Sequence, residues 1–326
     1  MSLYEIHNNI IILIPVFNDW DPVKLLLQKL DSHFASQSAQ VLLVDDGSTV
    51  DLPKGWGTLA LRHLVDVQVL RLRRNLGHQR AIAVGLSHVS VHRPCYAVLV
   101  MDGDGEDDPA DIPRLLQKQR EGPNGLIVFA ARMKRAEGIG FRLGYILYRY
   151  THLLLTGVAV RVGNFSVIPM GALSRLVVVS DLWNHYAASV FKARLPYDTI
   201  PTSRAKRLGG QPKMNFVSLV IHGLSAISVF ADRVGARLLV VTFGLLVLLS
   251  VALVGAVGIR LFTDLAIPGW ATVAVGVLAI LLMQVLTLVV MIVFVVLGAR
   301  ENAKFLPVRD FAPFVMDVVK VWSRDE

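Results

Sequence analysis

Ala97-Val-Leu-Val-Met101-Asp102-Gly-Asp104-Gly-Glu106-Asp107-Asp108-Pro109 is the stretch on which the fold turns. Its apolar run is short and continuous, with no polar residue alternating through it. Such a run suits a strand covered on both faces, as in a parallel sheet. The run then stops on acids and glycines. Carboxylates crowded this closely repel one another unless something positive is bound. At the end of a buried strand they offer a hard-oxygen site suited to Mg²⁺ or Mn²⁺. A calcium EF-hand is excluded by spacing, because its glycine position holds Asp107 and its closing glutamate position holds Pro113. The plain alternative is a solvated acidic loop capping the next helix. That suits Asp107 and Asp108 better than Asp102 and Asp104.

The same pattern recurs on both sides of this stretch. Ile10–Ile14 ends at Pro15, and Val41–Val44 ends in Asp45-Asp46-Gly47-Ser48. Val67–Leu72 follows, and Leu126–Ala131 ends in Arg132. Helices fit between these runs. Asp21-Pro22 supplies an N-cap and a first-turn proline before Lys24–Leu30. Gln79–His88 follows Gly77, and Asp108-Pro109 or Asp111 opens a helix that Gly122-Pro123 stops. Strand alternating with helix predicts a doubly wound, Rossmann-like α/β domain with a mostly parallel sheet. Ligands bind such sheets outside the carboxyl ends of the strands. Asp45, Asp46, Asp102, Asp104 and Arg132 all fall there.

The last third changes character. Leu238–Ile259 and Ala271–Gly298 carry no charged residue. Each is long enough to cross a hydrocarbon core of about 30 Å. Arg233 and Arg237 precede the pair, and Arg300, Lys304 and Arg309 follow it. By the positive-inside rule both chain ends lie in the cytoplasm. Asn215–Ala231 puts Phe216, Leu219, Val220, Leu224 and Ile227 on one helical stripe, which reads as an amphipathic helix in the membrane surface. The expected organisation is a catalytic domain over 1–212, a juxtamembrane helix over 213–236, a transmembrane hairpin over 237–299, and a cytoplasmic tail over 300–326. In the tail, Phe311, Phe314, Val315 and Val318 fall at helical spacing.

Composition agrees with a membrane protein. The chain has 326 residues, is 54% hydrophobic and carries a formal net charge of +8. Its single cysteine, Cys95, excludes an intramolecular disulfide and a multi-cysteine zinc site. The apolar run at Ile10–Val16 lacks the basic flank and small-residue cleavage site of a signal peptide.

Four segments, in this order and spacing, carry a resemblance. They are Ile12-Leu-Ile-Pro15-Val-Phe17-Asn18-Asp19, Val44-Asp45-Asp46-Gly47-Ser48, Arg74-Asn75-Leu-Gly77-His78-Gln79-Arg80-Ala81, and the acidic stretch quoted first. Together they resemble family 2 glycosyltransferases of the GT-A fold. With the hairpin and the basic segment Arg204–Met214, the likeness narrows to polyprenyl-phosphate glycosyltransferases, such as dolichyl-phosphate mannose synthase and undecaprenyl-phosphate sugar transferases. The resemblance implies roles. Pro15, Phe17, Asp19, Val44 and Asp46 match the segments that hold base and ribose. Phe17 and Asp19 stand where the family usually has Tyr and Glu. Asp102, Gly103, Asp104 and Glu106 match the metal–diphosphate segment. Arg207 and Lys213 match diphosphate-binding positions, and Arg132 and Arg142 match acceptor-phosphate arginines.

The function implied is metal-dependent, inverting transfer of a sugar from a UDP- or GDP-sugar to a polyprenyl phosphate. Asp102, Asp104 and Arg132 are the residues expected to carry the chemistry. The cofactor is Mg²⁺ or Mn²⁺. The partners are the nucleotide-sugar donor, the polyprenyl phosphate and the bilayer, with no nucleic acid and with room for a homo-oligomer. Two other readings stand beside it. Transfer to a lipid or glycan hydroxyl would need a carboxylate base, for which Asp181 is the candidate. A nucleotide-sugar-binding membrane protein without activity would bind donor and release nothing.

Overall fold

A computed structural model describes residues 9–34, 38–132, 150–158, 162–209, 223–263, 269–301 and 305–324. They divide into two units. One holds residues 1–148, 158–229 and 304–326, and the other holds 149–157 and 230–303.

The first unit is built on an eight-stranded sheet. Its strands are β1 (Asn9–Val16), β2 (Ser38–Asp45), β3 (Leu64–Leu72), β4 (Ala97–Val100), β5 (Ile127–Arg132), β6 (Ser166–Pro169), β7 (Tyr197–Thr202) and β8 (Val315–Ser323). Their order is β7-β5-β6-β4-β1-β2-β3-β8. β4, β1, β2 and β3 run parallel, as do β5 and β7. β6 is antiparallel to both its neighbours, and β8 is antiparallel to β3. The expected mostly parallel sheet is present. Three strands were not foreseen, and one replaces an expectation: Val315 and Val318, read at helical spacing, lie in β8.

Alternate residues of β1 explain why its run is continuously apolar. Ile10, Ile12 and Ile14 enter one core with Val23, Leu26, Leu27 and Leu30 of α1 (Trp20–Asp31) and Ile112, Leu115 and Leu116 of α3 (Ile112–Glu121). Ile11 and Leu13 enter the other core with Ala81, Ile82 and Val84 of α2 (His78–His92). Burying one such side chain is worth about 1.5–3 kcal/mol. A polar residue anywhere along the run would therefore be costly. Gly85 lets α2 approach closely, since a Cβ there would stand 2.7 Å from side-chain atoms of Leu13 and Val44.

Two shorter helices of the first unit follow β6, α4 (Met170–Leu176) and α5 (Tyr186–Lys192). The second unit contains two helices of 32 residues each, α6 (Ala231–Phe262) and α7 (Trp270–Glu301), packed side by side. Most of their surface is apolar and uncovered, with Val240 and Val254 72% exposed and Met283 65% exposed. Of the expected amphipathic segment, residues 223–228 are helical, and 215–222 lie outside the described residues.

Candidate active site

Register places the functional ends together. Val16 of β1 stands beside Asp45 of β2, and Leu13 beside Val100 of β4. β6 runs the other way, so its first residue, Ser166, stands opposite Val100 at the same edge. Arg132 closes β5 beside Thr202 of β7.

The loop after β4 is bent by two glycines. A Cβ on Gly103 would come within 3.0–3.2 Å of Val23 and Ile14 side chains, so the loop lies close against β1 and α1. Gly105 has φ +78, and a Cβ there would stand 2.4 Å from Leu208. Only glycine allows this approach, and it lets the basic loop after β7 lie on the acidic one. Ala205 N–H donates to Glu106 O at 2.9 Å, and Leu208 N–H donates to Asp104 O at 3.0 Å. Cations follow those backbone bonds. Arg204 pairs with Glu106, and Arg207 Nη1 lies 3.4 Å from Asp104 Oδ2.

A second set of groups fixes Asp102. His78 Nε2 lies 3.1 Å from its Oδ1, and Asn164 Nδ2 donates to the same oxygen at 3.2 Å. The direction of this chain of bonds is set from its far end. The Tyr186 backbone N–H can only donate, and it does so to Gln79 Oε1 at 2.7 Å. Gln79 Nε2 must then donate to Asn164 Oδ1, at 3.0 Å, which leaves Asn164 Nδ2 facing Asp102. Desolvation of the His78 ring favours its neutral form. The charge of Asp102 and its hydrogen bond, with the charges of Asp46 and Asp104, outweigh this and hold its pKa above the ordinary value.

The segments after β1 and β2 are tied to each other. Asn18 adopts φ 55, a left-handed conformation that Asn tolerates, and its Oδ1 accepts from the backbone of Thr49 and Val50. Asp46 accepts from Leu76 N at 2.7 Å and from Gly77 N at 2.9 Å. Burial raises the Asp46 pKa, and these two bonds only partly offset that. Gly47, at φ +68, passes so close to Arg74 and Asn75 that a Cβ would meet their backbone at 2.6 Å.

The expected residues therefore divide. Asp102, Gly103, Asp104, Glu106 and Arg207 are brought together. Pro15 adjoins them, its carbonyl 3.5 Å from the Cβ position of Gly103. Phe17 is 37% exposed just beyond β1, where a planar ligand could stack. Asp19 is half-buried one turn on. Val44 differs from expectation, because its side chain is fully buried in the core and only its main chain reaches the edge. Arg132 ends β5 at that edge. Arg142 and Lys213 lie outside the described residues. Sequence reasoning missed Asn18 and Asn164 as organisers of the site. Asp181, the candidate base, is paired with Lys192 at 2.9 Å.

Among the described residues no three His, Cys, Asp or Glu side chains converge as a ready-made metal cage. The expected trio is split, because Glu106 is buried against Arg204 while Asp102 and Asp104 stay partly exposed. Two carboxylates still fit a divalent cation whose remaining ligands are waters and substrate phosphates, the usual arrangement for Mg²⁺.

Comparison with known proteins identifies the family and the fold. Residues 11–177 match the model of glycosyl transferase family 2. Undecaprenyl-phosphate 4-deoxy-4-formamido-L-arabinose transferase of Klebsiella pneumoniae (strain 342) is 28% identical over 229 residues, covering 68% of this chain and 67% of its own. The protein of the same name from Erwinia tasmaniensis is 28% identical over 218 residues, covering 64% of each. Glucosyl-3-phosphoglycerate synthase from Mycobacterium tuberculosis, solved with Mn²⁺, UDP-glucose and phosphoglyceric acid, superposes with a TM-score of 0.51 at 16% identity, over 72% of this chain and 84% of that one. That likeness concerns the fold alone. With more than half its length matched by the family model, the chain belongs to glycosyl transferase family 2 and is a glycosyltransferase with a GT-A catalytic unit.

Proposed function

We propose that the enzyme transfers a sugar from a nucleoside diphosphate sugar to a polyprenyl phosphate at the cytoplasmic membrane surface, with inversion at the anomeric carbon. The observation that carries this reading is the basic loop lying on the acidic loop, with Arg207 beside Asp104. Arg207 and Arg204 are paired to carboxylates, and a diphosphate is a better partner for a guanidinium than one carboxylate. Phe17, Asp19 and the main chain at Pro15 and Val44 would receive base and ribose. Asp46 would act indirectly, by clasping the loop of Leu76 and Gly77.

In the reaction, an oxygen of the lipid phosphate attacks the anomeric carbon, and the bond from that carbon to the diphosphate oxygen breaks. Its electron pair leaves with the nucleoside diphosphate. Asp102 and Asp104 would hold Mg²⁺ or Mn²⁺, which supplies Lewis-acid neutralisation of the leaving group when bound. Arg207, with Lys213, would neutralise the same charge from the other side. Arg132 and Arg142 would orient the acceptor phosphate. No base is required, because a phosphate monoester with a second pKa of about 6 is largely ionised at neutral pH. The pairing of Asp181 with Lys192 disfavours the hydroxyl-acceptor alternative, which needs a base.

The membrane part of the proposal rests on α6 and α7. β8 follows them in sequence yet pairs with β3, which precedes them. The chain must therefore cross the bilayer an even number of times between the two strands. Two spans satisfy this and a third at 215–231 does not. The arginines and lysines flanking the hairpin support a cytoplasmic location for both ends.

The test is a donor panel with undecaprenyl phosphate in detergent, read by nucleoside diphosphate release and by recovery of a lipid monophosphate sugar. Donor binding without release on any polyprenyl phosphate would overturn the reading in favour of a binding protein.

A further inference from the structure

Residues 150–156 are helical and belong to the second unit, although they lie in sequence between parts of the first. Three facts about this helical stretch point the same way. Tyr150, Leu153 and Leu154 are 68%, 44% and 75% exposed. At 3.6 residues per turn these positions, with Gly157, share one face. The opposite face is buried, with His152 at 4% exposure packed edge-on to Phe230 and Thr156 at 0%.

Its carboxyl end is built to receive a guanidinium. Gly157 adopts φ +74 and ends the helix, with its N–H donating to Leu153 O at 2.8 Å. Arg237 Nη1 donates to the carbonyls of Leu153, at 3.3 Å, and of Leu154. A Cβ on Gly157 would stand 2.5 Å from Arg237 Nη2, so the guanidinium lies directly against the glycine, which the positive φ itself requires. A cation at the carbonyl end of a helix is also favoured by the helix dipole.

Arg237 fixes the depth. It is the last charge before the uncharged run Leu238–Ile259, whose 22 residues extend about 33 Å at 1.5 Å each and so match the hydrocarbon core. The helix it caps therefore ends level with the start of that core. Leu238 and Val241, which follow Arg237 on α6, are exposed apolar residues as well.

We infer that residues 150–156 are a membrane-surface foot, whose Tyr150, Leu153 and Leu154 enter the boundary between headgroups and acyl chains. The occupant of this face is lipid. A tyrosine and two leucines on one face suit that boundary. The inference rests on the hairpin crossing the bilayer and not on the transfer reaction.

Cysteine labelling can test it on the full chain. Cys95 is buried, and burial pushes its thiol up to about 12, so it stays unlabelled at neutral pH. Leu154→Cys and Tyr150→Cys would each carry an environment-sensitive dye in lipid nanodiscs, with Leu248→Cys on α6 as the reference for lipid exposure. The expected result is a blue-shifted emission at 150 and 154, quenched severalfold more by a nitroxide high on the lipid chain than by aqueous iodide. Iodide quenching without nitroxide quenching would overturn the inference by placing the face in water. Protection from both would overturn it in favour of a second copy of the chain. A dye at 248 that escapes the nitroxide would remove the hairpin and the foot together. None of these results depends on turnover, so they are separate from failure of the proposed reaction.

Discussion

β2 and β4 flank β1, and each ends in acids at the same edge of the sheet. After β2 the acids are Asp45 and Asp46, and their partners are backbone amides: Ser48 for one, Leu76 and Gly77 for the other. After β4 they are Asp102, Asp104 and Glu106, and each meets a side-chain cation, His78, Arg207 or Arg204, although Asp104 also accepts from the Glu106 backbone amide and Asp102 from Asn164. A backbone amide bonded to a carboxylate has nowhere else to go without unfolding a loop. A guanidinium on a flexible stem can move to an arriving phosphate. Under the proposed function the loop after β2 is thus scaffold, and the cations paired with the loop after β4 are exchangeable. The type of partner, not the type of acid, marks the difference.

Substitutions can break this comparison. Asp104→Asn removes an exchangeable acid and should lower kcat by about 10²–10³-fold or more. Its melting temperature should stay near wild type. A large fall in melting temperature would put Asp104 with the scaffold acids. Arg207→Ala should cost about 10²-fold, mainly in kcat, because it acts on charge that grows as the diphosphate leaves. Steady-state assays that find only a raised KM would instead make it a ground-state contact. Asn164→Ala touches no substrate in the proposed site, yet it frees Asp102 to rotate. Loss of such a support typically costs about 10-fold or more in metal affinity. The expected signature is a higher Mn²⁺ concentration for half-maximal rate, with little change when Mn²⁺ saturates.

Scaffold acids should behave in the opposite way. Asp46→Asn leaves at least one of two buried amides poorly paired, at a cost of about 1–3 kcal/mol in urea unfolding. Turnover per folded molecule should change little. Asp31 is a third acid of this kind, accepting from Arg62, His63 and Leu64 amides. Burial alone would raise its pKa, but these donors and the His63 charge bring it below the ordinary value. A depressed folded pKa means a contribution that is complete above the unfolded value of about 3.9 and is lost as pH falls through the folded one. The stability gap between wild type and Asp31→Asn should therefore narrow on acidification in that window, as followed by urea melts. This is the smallest of the five effects.

What could be read in advance follows from the same physics. β1, β2, β4 and β5 announce themselves because strands covered on both faces need unbroken apolar runs, and β3 keeps enough of one between its polar positions to be read as a strand. α6 and α7 do so because the hydrocarbon core tolerates almost no charge. β6 is four residues long, and β7 has an exposed edge and a proline, so neither carries a distinctive pattern. β8 misleads because its apolar residues also fit a helix. Its partner β3 lies about 250 residues earlier, and nothing local records the pairing. The candidate site divides likewise. Asp102 and Asp104 stand out as a cluster. Asn164 does not, because its partners Asp102, Gln79 and His78 are 62, 85 and 86 positions away.

The late position of β8 also governs the order in which the protein can be made. Until β8 leaves the ribosome, β3 is the outermost strand of a nascent sheet with its hydrogen-bonding groups open. By then both apolar helices have already emerged and must have been handed to the insertion machinery. An unfinished border of this kind invites pairing with other chains. On the proposed membrane topology, biogenesis thus favours swift delivery to the bilayer, since an inserted hairpin brings back the segment that seals the exposed flank.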